Sequence, residues 1–122
     1  MSDLASTDPT FVRLCALDEL PECAAIAIEL ELTLDGGTAM ESVIVWRQDG
    51  EVRAWLNVCP HAGRRLDWAP GRFLVKDGVL ICAAHGASFD TRDGLCTAGP
   101  CRGESLRGLR VCVLDGEVRV AA

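Results

Sequence analysis

The sequence predicts an all-β domain of antiparallel strands, and three observations support this prediction. Five Asp-Gly pairs are spread through the 122 residues, and Asp-Gly is a strong signal for the tight turn of a β-hairpin. Strand-like apolar runs lie between these pairs. Residues 24–32 end in strict alternation of apolar and acidic side chains, which suits a strand with one buried and one solvated face.

The N-terminal half contains the first four predicted strands, at residues 11–15, 24–32, 42–47 and 52–57. A short helical turn at 17–20 follows the first strand, and Pro21 ends it because proline cannot continue a helix. The Asp-Gly pairs at 35–36 and 49–50 separate the later strands. Trp46 and Trp55 flank the second of these turns, and we expect both rings to pack in the core.

The C-terminal half contains five more predicted strands, at residues 73–76, 79–82, 87–91, 109–114 and 118–120. Asp-Gly pairs at 77–78 and 115–116 separate consecutive strands, and the pair at 93–94 follows the strand 87–91. No internal repeat and no low-complexity linker divides the chain. We therefore expect residues 11–122 to form a single domain, with residues 1–10 as a flexible tail.

The composition argues against several classes of function. Twelve Lys and Arg residues against 18 Asp and Glu give a net charge of −6, which does not suit binding to a nucleic-acid backbone. The longest apolar run, residues 23–28, is far shorter than the roughly 20 residues that span a bilayer. Residues 1–10 contain no Lys or Arg to open a secretory signal, and the seven cysteines are an odd number. We therefore expect a cytoplasmic protein with free or metal-bound thiols.

Two segments, residues 57–63 and 81–90, carry the chemistry. The first pairs Cys59 with His61 and the second pairs Cys82 with His85, which are the two histidines of the chain. Adjacent Gly and Pro residues permit loops that aim two side chains at one point. Thiolate and imidazole have little reason to converge except around a metal, so we interpret these four residues as metal ligands. Tetrahedral zinc is one alternative, although zinc modules usually place at least two residues between paired ligands.

This pattern, Cys-x-His followed by Cys-x-x-His, resembles that of the Rieske iron–sulfur family. Further matching features are Leu17-Asp18-Glu19-Leu20-Pro21, Asn57, His85-Gly86-x-x-Phe89-Asp90, Gly94 and Gly99-Pro100. Twenty residues separate His61 from Cys82, somewhat more than is common in the family, and residues 66–73 are the predicted insertion. The resemblance implies an antiparallel Rieske-type β-sandwich or barrel with a small cluster-binding subdomain, whose loops cover about 57–71 and 81–101.

The resemblance also implies a Rieske-type 2Fe-2S cluster, in which Cys59 and Cys82 bind one iron and His61 and His85 bind the other. No histidine then remains for the mononuclear iron site of an oxygenase. We therefore expect a soluble Rieske-type ferredoxin, an electron-transfer protein without catalytic residues of its own. It would pass single electrons from a reductase to an oxygenase or similar acceptor, as a monomer or weak oligomer without nucleic-acid or membrane partners.

High-potential members of the family carry a disulfide between the two loops, and Ser and Tyr hydroxyls that donate hydrogen bonds to cluster sulfurs. The corresponding positions in this chain are Gly63, Ala84, Ala87 and Phe89. Hydrogen bonds to sulfur stabilise the added negative charge of the reduced state, so their absence lowers the reduction potential. The sequence therefore predicts a potential of roughly −150 mV, near the lower end of the Rieske range.

Two further functions stay open at this point: an accessory small subunit of a larger reductase, similar to the small subunit of nitrite reductase, and a redox or iron sensor. Three smaller expectations concern the surroundings of the ligands. Cys96 and Cys101 are expected to pack as small residues instead of forming a disulfide. Trp68 is expected to cover the core of its own domain. A basic rim for an acidic partner is predicted from Arg64, Arg65, Arg92 and Arg102.

Overall fold

The computed structural model describes residues 11–60, 63–84 and 86–122, and the predicted tail at 1–10 lies outside them. The strands in these residues are β1 (Val12–Ala16), β2 (Ala24–Leu34), β3 (Gly37–Gln48), β4 (Glu51–Leu56), β5 (Leu74–Lys76), β6 (Val79–Ile81), β7 (Ser88–Asp90), β8 (Cys96–Ala98), β9 (Gly108–Leu114) and β10 (Glu117–Ala121). The pairings between them are antiparallel, which confirms the predicted fold class. The predicted helical turn is a 3-10 turn at Leu17–Glu19. No helix in the described residues is long and apolar enough to cross a membrane.

Four of the five Asp-Gly pairs form the predicted hairpin turns, which join β2 to β3, β3 to β4, β5 to β6 and β9 to β10. In each, the Asp has a φ of 51° to 52° and the Gly a φ of 74° to 84°, as a type I′ turn requires. The pair at 93–94 differs, because there the positive φ belongs to Gly94 alone. A Cβ on Gly94 would lie 2.6 Å from Nε1 of Trp55, so this position needs glycine for space as well as for its φ of 78°.

The larger sheet has six strands in the order β1-β10-β9-β4-β3-β2. Its two edge strands, β1 and β2, also come into contact, so the sheet curls into a nearly closed barrel. A register shift between Arg13 and Cys15 bends β1 where it pairs with β10. The inner face of the barrel forms one hydrophobic core, which includes Leu32, Val118 and Val120.

Residues 43–46 of strand β3 are buried on both faces and join the two cores of the molecule. Val43 and Val45 point into the barrel, whereas Ile44 and Trp46 point into a second core on the other side. Successive side chains of a strand point to opposite faces, so a run of four apolar residues is what a doubly covered strand requires. Trp55 on β4 joins the same second core, which confirms the packing role predicted for both tryptophans.

The smaller sheet has four strands in the order β5-β6-β7-β8 and covers the second core. Strand β8 is absent from the sequence-based prediction, because the three residues Cys96-Thr97-Ala98 are too few to show a strand pattern. It is a strand because its backbone pairs with β7, where Ala98 lies opposite Ser88 and Cys96 opposite Phe89. Tertiary pairing therefore decides this element, whereas local composition does not.

Candidate metal centre

Two loops with the same backbone pattern present the cysteines predicted as ligands. The Cys59 amide donates to the carbonyl of Arg64 (2.7 Å), and the Cys59 carbonyl accepts from the amide of Gly63 (2.8 Å). In the second loop the equivalent bonds, of 2.8 and 2.9 Å, join Cys82 to the residues five and four positions after it. Gly63 and Gly86, with φ of 68° and 73°, occupy the same place in the two loops. Each loop therefore closes on itself directly after its cysteine.

Both cysteines are withdrawn from solvent. The exposed fraction is 0% for Cys59 and 1% for Cys82, and both side chains belong to the second core. His61 and His85 lie within the two closed loops in the sequence, but they are outside the described residues. Among the Cys, Asp and Glu side chains that the structure describes, no group of three is arranged to hold a metal. The structure thus places the two predicted thiol ligands, and the two histidine ligands stay a prediction.

Asn57, at the end of β4, fixes the first loop from inside and is 1% exposed. Its Oδ1 accepts from the backbone amide of Leu66 (2.8 Å). Its Nδ2 donates to Ser42 Oγ on β3 and to Asp67 Oδ1, both at 3.2 Å. One amide side chain therefore connects the barrel strand β3 to Leu66 and Asp67, directly after the first loop. The sequence analysis included Asn57 in the resemblance but assigned it no structural role.

Asp67 is a second structural residue that the sequence analysis missed. Its carboxylate, 1% exposed, accepts two hydrogen bonds from Arg65 (3.0 and 2.8 Å) and one from the Gly71 amide (3.0 Å). Burial would raise the pKa of Asp67, but the hydrogen bonds from Arg65, Gly71 and Asn57 together lower it below its ordinary value. A sequence signal was present, since Asp67 is the single acidic residue between positions 52 and 76.

Two close contacts hold the loops against each other and against the Gly99-Pro100 turn. The Ala83 amide donates to the carbonyl of Leu66 (3.0 Å), which joins the second loop to the first. A Cβ on Gly99 would lie 2.8 Å from Cα of Ala87, and Gly99 has a φ of 100°. Glycine at this position therefore allows the turn to lie directly on the second loop.

Two other thiols, Cys96 and Cys101, belong to the same core as Cys59, and each is 1% exposed. Cys101 donates to Cys96 with 3.1 Å between the sulfur atoms, and Cys96 donates to the carbonyl of Ala98 at 3.2 Å. Burial, followed by the hydrogen bond with Cys96 and the proximity of Cys59, raises the pKa of Cys101 to about 12. Their burial confirms the prediction that they pack in the core, and both are free thiols in this structure.

The surface next to the two loops carries an exposed aromatic ring. Trp68 is 58% exposed, so the prediction that it covers its own core is wrong. The guanidinium of Arg72 lies over the ring, 5.9 Å from its centroid. Together with Arg64, Ala83 and Ala84, Trp68 lines a shallow depression of about 440 Å³. Within the loop 66–73, the Trp68 amide donates to the carbonyl of Arg72 (2.9 Å). This hydrogen bond closes a tight turn in the loop, and the Trp68 ring lies on its outer side.

The predicted basic rim is only partly present. Arg65 is paired with two carboxylates, and Arg92 is paired with Asp90 at 2.7 Å. Hydrogen bonds from Arg92 lower the pKa of Asp90 to about 2. Arg64 and Arg102 are exposed and form no ion pair within the part of the chain that the structure describes. Of the four arginines predicted to form the rim, only Arg64 and Arg102 therefore carry a positive charge that no carboxylate in the described residues pairs with.

Comparison with known proteins places this geometry in a family. A family model described as Rieske [2Fe-2S] domain matches residues 10–115. Among curated proteins, the oxidoreductase NdmD of Pseudomonas putida is 36% identical over 61 residues, which are 49% of this chain. The chain spans 10% of the length of NdmD.

Solved structures include ferredoxins of the same length class. The ferredoxin of carbazole 1,9a-dioxygenase from Nocardioides aromaticivorans IC177 is 33% identical, with a TM-score of 0.67 over 92% of this chain and 97% of that one. The ferredoxin of Sphingomonas yanoikuyae B1 is 25% identical, with a TM-score of 0.65 over 92% of this chain and 98% of that one. The terminal oxygenase of the Nocardioides system is 27% identical with a TM-score of 0.69, over 93% of this chain and 30% of that one.

Proposed function

This chain belongs to the Rieske [2Fe-2S] domain family, as its motif predicted, and from this premise we propose that it is a Rieske-type ferredoxin. It carries one electron at a time from a reductase to an oxygenase-type acceptor. The similarity to a ferredoxin over nearly the whole of both chains supports this function. The protein is an electron-transfer component and does not itself convert a substrate.

The proposed ligands are Cys59 and Cys82 for one iron, and His61 and His85 for the other. The observation that carries this assignment is the pair of matching loops, in which each buried cysteine is followed by a closed turn that contains one histidine in sequence. Two thiols in an apolar core are chemically suited to iron–sulfur ligation. When bound, a 2Fe-2S cluster supplies one-electron redox chemistry.

The surrounding residues exclude water from the thiol side of the site. Leu66, Ala87 and Phe89 are each 0% exposed and lie in the same core as Cys59 and Cys82. In such a low-dielectric environment, a net charge on the site is disfavoured. Two backbone hydrogen bonds hold each cysteine within its own loop, so the loops change little in shape when the charge changes.

We place the docking of partners on the surface that carries Trp68 and Arg64. This surface adjoins the second loop, because the depression it lines also includes Ala83 and Ala84. An exposed tryptophan supplies apolar contact area, and an unpaired arginine supplies charge that orients an acidic partner. Docking is weak, since a carrier must release each partner. The cytoplasmic location and the monomeric or weakly oligomeric state stay predictions.

The first experiment is iron and acid-labile sulfide analysis of anaerobically purified protein, followed by electron paramagnetic resonance after reduction with dithionite. We expect two irons and two sulfides per chain and uptake of one electron. Cys59→Ser and Cys82→Ser should each lose most of the iron, whereas Cys112→Ala, a buried cysteine on β9 outside the second core, should retain it. One colourless zinc, or a folded chain without metal, would contradict the proposal.

A second experiment tests the type of acceptor. The dithionite-reduced protein is mixed with the terminal oxygenase of the Nocardioides carbazole 1,9a-dioxygenase, and the ferredoxin of that system serves as the reference carrier. We expect reoxidation whose rate rises with oxygenase concentration and falls in Trp68→Ala. No transfer from this protein, while the reference carrier remains active, would contradict an acceptor of that type.

A further inference from the structure

A thiol that no ligand motif includes lies directly beside a proposed iron ligand. Cys101 follows the Gly99-Pro100 turn, is buried in the same core as Cys59 and lies close enough to Cys59 for the two side chains to interact electrostatically. The close packing of Gly99 on Ala87 sets the position of this turn, because any Cβ at residue 99 would collide with the backbone of the second loop. The fold therefore fixes the turn that places Cys101 in the same core as Cys59.

The hydrogen-bonding capacity of the three sulfur atoms determines the direction of this contact. Cys96 donates its proton to the carbonyl of Ala98 (3.2 Å), and the Cys101 sulfur lies 3.1 Å from that of Cys96. Cysteine that binds iron is a thiolate, so Cys59 in that role has no proton and can only accept. The proton of Cys101 is then the one available to Cys59. The S–H bond of Cys101 has only to rotate from the Cys96 sulfur toward the Cys59 sulfur.

We propose that Cys101 donates a thiol hydrogen bond to the sulfur of Cys59 and thereby raises the reduction potential of the site. This inference rests on the proposed role of Cys59 as an iron ligand. Reduction adds negative charge that is shared by the ligand sulfurs, and a donor to sulfur stabilises the reduced state more than the oxidised state. Ala87 and Phe89 stand at the positions where high-potential relatives have hydroxyl donors, so Cys101 supplies a donor from a different element. Cys101 is a positioning residue, since it acts through Cys59.

A disulfide between Cys96 and Cys101 is the competing state. The sulfur atoms are 3.1 Å apart, longer than the covalent distance of about 2.05 Å, and both residues are free thiols. Loss of two protons and two electrons to an oxidant such as peroxide would join them and leave Cys101 without a proton to donate. Intact-mass measurement of the purified, denatured protein after alkylation distinguishes the two states, and a disulfide there would overturn the inference.

The test compares Cys101→Ala, Cys101→Ser and the control Cys112→Ala as iron-loaded proteins. Iron and sulfide analysis comes first, so that absence of the cluster in the wild type refutes the proposed function and is not attributed to Cys101. Redox titration follows the reduced-state paramagnetic signal. We expect Cys101→Ala to shift the equilibrium about fivefold toward the oxidised form, which is about 40 mV at 59 mV per tenfold change. The control variant should match the wild type.

The serine variant gives an independent readout because a hydroxyl is a stronger donor than a thiol. We expect the potential of Cys101→Ser to equal or exceed that of the wild type, whether or not the alanine variant holds iron. Resonance Raman spectra in H2O and D2O should show a smaller isotope shift of the iron–sulfur stretching bands in Cys101→Ala than in the wild type. An unchanged potential in Cys101→Ala, or a lowered potential in Cys101→Ser, would overturn the inference.

Discussion

Replacement of Asn57 by alanine tests how the first ligand loop is fixed. The substitution removes three side-chain hydrogen bonds, to the Leu66 amide, Ser42 and Asp67. Leu66 is 0% exposed, so its amide is left unsatisfied in the core, at a cost of about 2 kcal/mol. Ser42 is partly exposed and Asp67 keeps Arg65 and Gly71, so the loss of these two bonds adds only about 1 kcal/mol.

The expected loss of about 3 kcal/mol corresponds to a fall in Tm of about 12 °C, given an unfolding entropy of about 2.1 cal/mol/K per residue over 122 residues. Thermal unfolding is followed by circular dichroism and by visible absorbance at one scan rate. Ser42→Ala is the matched control, since it removes one of the three hydrogen bonds and leaves the Leu66 amide satisfied. We expect it to lower Tm by about 2 °C, because the Ser42 bond accounts for about half of the 1 kcal/mol assigned to the two weaker bonds.

A third variant, Asn57→Asp, separates hydrogen bonding from packing. The introduced carboxylate still accepts from the Leu66 amide, but it faces the carboxylate of Asp67 in place of the 3.2 Å amide contact. Two buried like charges disfavour the fold at neutral pH, and protonation of one restores a donor. The difference in Tm between this variant and the wild type should therefore become smaller as the pH falls from 7 to 5.

The result for Asn57→Ala decides whether the reasoning holds. A fall in Tm of less than about 3 °C in Asn57→Ala would refute it.

Three other predictions follow from single contacts. Gly94→Ala should lower the free energy of unfolding by about 1–3 kcal/mol more than Gly50→Ala does. The two glycines have nearly equal φ (78° and 80°), but only a Cβ at position 94 would overlap with Trp55. Equal Tm values for the two variants would argue against this overlap. Asp67 has a lowered pKa in the folded state, so its contribution to stability is present above the ordinary Asp value near 3.9 and is lost as the pH falls through the lower folded value. The Tm difference between the wild type and Asp67→Asn should therefore narrow between pH 6 and 3, and a constant difference would contradict the assignment. Trp68→Phe should remove most of the tryptophan fluorescence that acrylamide quenches, because the other two rings are buried; unchanged quenching would show that Trp68 is covered.

The sequence alone determined the hairpins and the ligand motif, because both depend on short stretches of chain. A type I′ hairpin turn requires positive φ at two adjacent residues, and Asp-Gly adopts this conformation readily when a strand lies on each side of it. The spacing of Cys59 and His61, and of Cys82 and His85, is likewise a local pattern, and it was sufficient to identify the family. The strand β8 was missed because its three residues are too few to show a strand pattern.

The tertiary structure decided which side chains meet. Asn57 reaches Ser42 because β3 and β4 are neighbours in the sheet, and Cys101 reaches Cys59 because Gly99 allows its turn to lie on the second loop. Trp68 is exposed and Arg65 is neutralised because the loop 66–73 closes around Asp67. The first two contacts join residues far apart in the chain, and those around Asp67 depend on the path of one irregular loop, so neither composition nor periodicity could have revealed them.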